Sequence, residues 1–195
     1  DLLRPVHRVD QVHAVVLSGG SAFGLDAASG VVSYLESQGI GFRVGSKDDP
    51  VRVPIVSSAI LYDLGLISSR FRPGAEEGRS ACFAASSLPM PEGSVGAGTG
   101  ATVAKLGGAD RGVKGGIGSA SIVLSTGQTV AAAVAVNALG GIWDYTDGKL
   151  LAGPRRADGG FDDPVFMLLE SDTNPPSGPV NTTIGLVATD AQITK

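Results

Sequence analysis

The high frequency of glycine in this chain favours a fold of close-packed layers with tight backbone turns. It contributes 29 of the 195 residues, roughly twice its average usage of about 7%. The glycines follow no three-residue period, which excludes a collagen-like triple helix. Glycine weakens the interior of helices and strands but lets neighbouring backbones approach closely. We therefore expect close-packed layers and tight backbone turns.

The composition also excludes several functional classes. With 43% hydrophobic and 17% charged residues, the chain does not have the composition of a disordered segment. Its net charge of −4 lacks the basic excess typical of proteins that bind nucleic acids or membrane surfaces. The sequence contains no run of 18 apolar residues, and residues 1–5 do not have the pattern of a signal peptide. We expect one cytoplasmic domain with no nucleic-acid or membrane partner.

Few residues are available for metal or histidine chemistry. Cys82 is the single cysteine, which excludes an internal disulfide and a thiolate zinc site. The two histidines, His7 and His13, both lie near the start, so a mechanism that needs a catalytic histidine must use one of them. We expect no metal and no organic cofactor.

Apolar runs and helical spacing predict strands and helices that do not alternate regularly. The predicted strands cover residues 12–17, 40–44, 53–56, 117–124, 129–137, 165–170 and 181–189. The predicted helices cover residues 22–37 and 75–87, residues 125–128 form a hairpin turn, and the proline-rich residues 171–179 form a linker. This order favours a layered α/β or α+β sandwich over a regular parallel sheet.

A glycine-rich turn at residues 18–24 lies between a predicted strand and a predicted helix. Backbone N–H groups at such a turn can bind a phosphate or a carboxylate. The turn matches neither a dinucleotide fingerprint nor a P-loop, and Phe23 stands where a nucleophile elbow needs its last glycine. A tight strand-to-helix connection is the favoured interpretation over an anion site.

Three polar residues at the edges of apolar segments are candidates for chemistry. Lys105 and Lys114 each follow or interrupt a glycine-rich stretch. A buried ammonium there would need a partner and would have a lowered pKa, although composition alone favours a surface lysine. Asn137 ends an apolar strand. Its amide could donate to a developing oxyanion, but an asparagine at this position is more often a turn residue.

The pair Asn181–Thr182 follows the proline-rich linker and suggests a mechanism without histidine. The Thr182 hydroxyl can attack the preceding carbonyl, and hydrolysis of the resulting ester leaves a threonine with its own α-amine. That amine, with an unperturbed pKa of about 8, can serve as the base for the hydroxyl. The alternatives are a strand start that uses threonine for its β propensity and a glycosylation sequon.

Five segments together resemble the DmpA-like peptidase family (peptidase family S58), which includes L-aminopeptidase/D-esterase, the β-aminopeptidases and the nylon-oligomer hydrolase NylC. They occur in the family's order along nearly the whole chain: LSGGSAFGL (17–25), VSSAILYDL (56–64), GTGAT (98–102), VN (136–137) and NTTI (181–184). The resemblance implies an αββα sandwich of the N-terminal-nucleophile type. It also implies a precursor that cuts itself into α and β chains.

The resemblance assigns a role to each candidate residue. Thr182 would be the nucleophile that cleavage after Asn181 exposes, as in the NylC branch, whereas most of the family uses serine. Tyr62 and Asn137 would line the site and polarise the scissile carbonyl. Lys105 matches the lysine of the NylC-like branch, with Lys114 as the alternative. The substrate would be a small peptide or another amide, and the assembly a tetramer of αβ units.

The family continues for many residues beyond its nucleophile, whereas this chain stops 13 residues after Thr182. We therefore expect an incomplete single domain, with 1–181 in the α chain and 182–195 beginning the β chain. Two other functions stay open. One is an ornithine-type acetyltransferase, which shares the self-cleaving threonine. The other is a non-catalytic protein that binds small ligands at the glycine turns.

Overall fold

A computed structural model describes residues 4–7, 9–65, 69–170 and 181–193. Its strands are β1 (Ala14–Ser18), β2 (Phe42–Gly45), β3 (Pro50–Val53), β4 (Val56–Ile60), β5 (Thr102–Val103), β6 (Val113–Lys114), β7 (Gly116–Val123), β8 (Thr129–Asn137), β9 (Ile142–Trp143), β10 (Leu150–Ala152) and β11 (Thr182–Thr189). Its α-helices are α1 (Ala27–Ser37), α2 (Ala75–Ala84) and α3 (Pro164–Glu170). This mixture confirms the prediction of an α+β protein.

The sheet that organises the site has β8 at its centre. β8 pairs antiparallel with β7 on one side and with β11 on the other. A turn joins β7 to β8, where Leu124 N–H donates to Gln128 O at 2.8 Å and Gly127 adopts a φ of 91°. The predictions of strands at 117–124, 129–137 and 181–189 and of the hairpin between the first two are confirmed.

The two-stranded parallel sheet of β1 and β4 packs against α1 and against the three-stranded sheet. β1 pairs with β4, both contact α1, and both also contact β11. Leu17 of β1 and Ile184 of β11 pack against one buried cluster, which includes Leu61 and Ala135. This core is built from small side chains, so the layers lie close together.

Two glycines explain how closely α1 and α2 approach each other. A Cβ added at Gly30 would collide with Ala75 O, and one added at Gly78 would collide with Ala27 O. Any side chain at either position would therefore separate the helices.

The structure corrects three predicted elements. Residues 165–170 form no strand but belong to α3, because Asp163 Oδ1 accepts the Val165 N–H at 2.8 Å and Pro164 occupies the first helical position. The predicted helix at 22–37 begins as the 3-10 helix Ser21–Asp26. The predicted strand at 53–56 is divided between β3 and β4. The linker at 171–179 lies outside the described residues.

None of the helices in the described ranges has the length and hydropathy needed to cross a bilayer.

Candidate functional site

The side-chain amide of Asn137, at the end of β8, is the centre of a buried polar cluster. Asn137 is 1% exposed. Its Nδ2 donates to Tyr62 O at 2.6 Å, and its Oδ1 accepts the Thr102 N–H at 3.0 Å and Lys105 Nζ at 2.9 Å. Because a carbonyl lies at one end of the amide and donors lie at the other, these partners fix its orientation. Such a network holds the side chain rigidly.

Lys105 reaches this amide from a constrained piece of backbone. The preceding residue, Ala104, is fully buried and adopts a φ of 58°, in the left-handed region that non-glycine residues seldom occupy. Hydrogen bonds of 2.8 Å from Ala104 N to Gly140 O and from Lys105 N to Leu139 O hold it there. Lys105 is 7% exposed, and burial lowers the pKa of its ammonium to about 8.

Thr182 is the first residue of β11 and pairs directly with Asn137. Directly opposed residues on antiparallel strands project from the same face, with Cβ atoms about 4.5–5.5 Å apart. The predicted nucleophile and the predicted oxyanion donor therefore share one face of the sheet. Thr183 pairs with Val136 and projects from the other face. Asn181 is exposed and Thr182 is half-buried.

A small cavity of about 130 Å³ opens onto the polar cluster. Its lining residues are Tyr62, Asp63, Gly65, Gly100, Thr102, Lys105, Ala109 and Asn137. Three of the predicted site residues, Tyr62, Lys105 and Asn137, therefore line one cavity. The register of β11 places the fourth, Thr182, opposite Asn137. Tyr62 contributes its main-chain carbonyl to the cluster, and the role predicted for its side chain stays a prediction.

Lys114 has a different environment from Lys105. Its Nζ donates to Gly98 O and to Ala101 O, both at 3.0 Å. Burial lowers the pKa of Lys114, and the negative charge of Asp63 partly raises it again. Lys114 does not line the cavity that holds Asn137. Of the two candidate lysines, Lys105 is the one hydrogen-bonded to the Asn137 side chain.

The glycine turn after β1 holds a carboxylate that comes from the chain itself. Gly20 N–H donates to Asp63 Oδ1 at 2.7 Å, and a Cβ added at Gly19 would collide with the same carboxylate. The turn is therefore a tight connection with its anion-binding position taken by Asp63. His13 is also committed to the fold, since its Nδ1 accepts the Ile55 N–H at 3.0 Å.

Sequence reasoning gave no role to two residues of this site. Thr102 donates to Asn137 Oδ1 through both its N–H and its hydroxyl, the latter at 3.3 Å. Asp63 was part of a recognised segment, but its contact with Gly20 joins positions 43 residues apart. No local pattern encodes a contact over this distance in the chain. The one feature of the sequence that points to Thr102 and Asp63 is that both lie inside segments that resemble the family.

Comparisons with known proteins identify relatives of this chain. The chain matches the model of peptidase family S58 over residues 1–195. An uncharacterized aminopeptidase of Mycobacterium leprae is 38% identical over 213 residues, covering 99% of this chain and 53% of the relative. One of Mycobacterium tuberculosis is 38% identical over 199 residues, covering 99% and 54%. A 6-aminohexanoate-oligomer endohydrolase of Kocuria sp. is 34% identical over 94 residues, covering 48% and 25%.

The chain thus spans about half the length of the mycobacterial relatives. The family match covers every segment on which the resemblance to the DmpA-like peptidases rests. The chain belongs to peptidase family S58.

Proposed function

We propose that this chain is part of a self-processing amide hydrolase that uses Thr182 as an N-terminal nucleophile. The observation that carries the proposal is the pairing of Thr182 with Asn137, whose side chain is hydrogen-bonded to the buried Lys105. A hydroxyl, an amide and a cation with a lowered pKa thereby meet at one end of the sheet. Perturbed ionisable groups beside a nucleophile are typical of catalytic sites.

The first reaction would be cleavage of the chain itself. Thr182 Oγ1 attacks the carbonyl carbon of Asn181, and the C–N bond breaks as the proton of the hydroxyl passes to the nitrogen. Water then hydrolyses the ester, which leaves Asn181 with a carboxylate and Thr182 with an α-amine. The exposure of Asn181 supports this step, because water can reach the bond.

Turnover would repeat this chemistry on an external amide. The α-amine of Thr182 takes the proton of the hydroxyl, the hydroxyl forms an acyl ester with the substrate, and water releases the acid. A charged Lys105 nearby favours the neutral form of the amine, because like charges disfavour a second ammonium. Asn137 and Tyr62 would polarise the substrate carbonyl, which becomes negative in the transition state.

The relatives suggest the class of substrate. Their names describe aminopeptidases and an endohydrolase of 6-aminohexanoate oligomers, and both act on amide bonds. We propose a small peptide or another amide as the substrate. The complete protein would form the αββα sandwich of the family, with residues 1–181 in the α chain and 182–195 beginning the β chain. It would assemble as a tetramer of αβ units.

The decisive experiment follows the bond between Asn181 and Thr182. In the full-length protein we expect two chains on a denaturing gel, with the smaller one beginning at Thr182. Thr182→Ala lacks the hydroxyl and should stay a single, inactive chain. Thr182→Ser keeps a hydroxyl and should cleave at a changed rate.

Thr183→Ala is the matched control, because Thr183 projects from the opposite face and should not affect cleavage. N-terminal sequencing of the smaller chain and an assay of amide hydrolysis give the result. A small chain that begins at another residue, or an active single-chain Thr182→Ala protein, contradicts the mechanism. Acetyl transfer to glutamate without amide hydrolysis would instead indicate the acetyltransferase.

A further inference from the structure

Asp63 lies where two glycine-rich segments of the chain meet. Its Oδ1 accepts the Gly20 N–H at 2.7 Å. Its carboxylate also lies against Gly19 and Gly100, and a Cβ added at either glycine would collide with it. Lys114, which donates to the carbonyls of the second glycine-rich segment, acts on the same carboxylate through its charge.

These contacts connect Asp63 to both ends of the Asn137 amide. The residue before Asp63 is Tyr62, whose carbonyl accepts Asn137 Nδ2. Two residues after Gly100 is Thr102, whose N–H donates to Asn137 Oδ1. Asp63 is therefore covalently part of one backbone segment that orients the amide, and its side chain contacts the other at Gly100.

The backbone of residues 61–63 is attached to the first glycine turn at three points. Leu61 N donates to Ser18 O and Ser21 N donates to Leu61 O, both at 2.8 Å. The third point is the bond from Gly20 N–H to Asp63. It is the only one of the three made by a side chain, so a substitution can remove it without altering the backbone bonds.

We propose that Asp63 is a positioning residue for the amide-hydrolysis reaction, which holds the Tyr62 carbonyl and the Gly100–Thr102 backbone against Asn137. This inference rests on the proposed function. Asp63 acts by accepting a hydrogen bond and by filling the space between Gly19 and Gly100. This role requires an oxygen that accepts the Gly20 N–H and a side chain that fills this space. It does not require a negative charge that faces the substrate.

The variants Asp63→Ala and Asp63→Asn separate these two roles. Asp63→Ala removes the acceptor, and a displacement of about 1 Å in a catalytic group can cost on the order of 10²-fold in rate. We expect kcat to fall on the order of 10- to 100-fold while KM changes little. Asp63→Asn keeps an oxygen that accepts the Gly20 N–H and should recover most of kcat. Asp48→Ala, in the exposed β2–β3 hairpin, is the surface control.

Gly19→Ala tests the same contact from the other side. The nearest atoms to an added Cβ at Gly19 all belong to the Asp63 carboxylate, so the alanine should displace it and lower kcat. Asp63→Ala removes those atoms. The double variant should therefore be no slower than Asp63→Ala alone, a non-additive result that is expected when the two positions share a contact. Gly19→Ala by itself displaces the carboxylate, so this single variant keeps the test valid if Asp63→Ala folds poorly.

Side-chain amide exchange of Asn137, measured by NMR in the single-chain Thr182→Ala background, needs no activity. We expect faster exchange with Asp63→Ala and near-normal exchange with Asp63→Asn. If the parent protein is not cleaved before Thr182, the proposed function fails, but this measurement still decides the role of Asp63. Unchanged exchange and unchanged kcat in Asp63→Ala overturn the inference. So does a raised KM in both variants for a substrate with a charged amine, which would place Asp63 in contact with substrate.

Discussion

Lys105 and Lys114 occur in similar glycine-rich surroundings in the sequence, yet their side chains enter different environments. Lys105 is buried and donates to the side-chain amide of Asn137, whereas Lys114 is more exposed and donates to two main-chain carbonyls. Burial lowers the pKa of Lys105 to about 8. For Lys114 the charge of Asp63 opposes the same effect. Burial beside the Asn137 amide thus distinguishes the candidate catalytic lysine from a lysine that donates only to main-chain carbonyls.

The largest expected difference between the two lysines is in activity. Lys105→Ala should reduce self-cleavage and turnover by on the order of 10²- to 10⁴-fold, the range typical of a charged group that assists proton transfer. Lys114→Ala should have a much smaller effect, because Lys114 donates to the carbonyls of Gly98 and Ala101 and not to the Asn137 amide. The measurement is the rate of chain cleavage and kcat for both variants, with circular dichroism to show that each is folded. Full activity in folded Lys105→Ala, together with a large loss in Lys114→Ala, would reverse the assignment.

The next largest effect is expected at Asn137, whose amide oxygen accepts a hydrogen bond from Lys105. Asn137→Ala removes the amide that lies opposite Thr182, and loss of one oxyanion donor typically lowers kcat by about 10²- to 10³-fold. We expect KM to change little. Steady-state kinetics on processed enzyme give the answer, and a raised KM with unchanged kcat would make Asn137 a binding residue. Thr129→Ala, at the other end of β8, is a control in the same strand.

The smallest effect is on the dependence of stability on pH. Because the folded-state pKa of Lys105 is about 8 and the ordinary value is 10.5, the unfolded chain holds more protons between these pH values. The free energy of unfolding should therefore rise with pH through this window. Lys105→Met should remove part of that rise.

Chemical denaturation at several pH values measures this slope. Lys114→Met should change it less, since Asp63 offsets the lowering of the Lys114 pKa. An identical slope in the parent protein and in Lys105→Met would mean that Lys105 is not desolvated in solution.

Much of the local structure could be predicted because it depends on short-range patterns. The hairpin of β7 and β8 follows from two apolar runs around residues 125–128, and β11 follows from its content of β-branched and aliphatic residues. The error at residues 165–170 arose because five apolar residues read as a strand, although Asp163–Pro164 is a helix start. The Asp163–Pro164 pair is itself a local signal for a helix.

The sequence by itself determined the α+β class, the family and the identity of the candidate residues, because composition, periodicity and ordered segments are properties of the chain alone. Three contacts were decided only by the tertiary structure. Lys105 donates a hydrogen bond to Asn137, Thr182 lies on the same face of the sheet as Asn137, and Asp63 accepts a hydrogen bond from the glycine turn. These contacts join residues 32 to 45 positions apart in the chain. These contacts depend on burial, on the register of the strands and on the close approach of two glycine-rich backbone segments. The local sequence around any one residue does not determine these features.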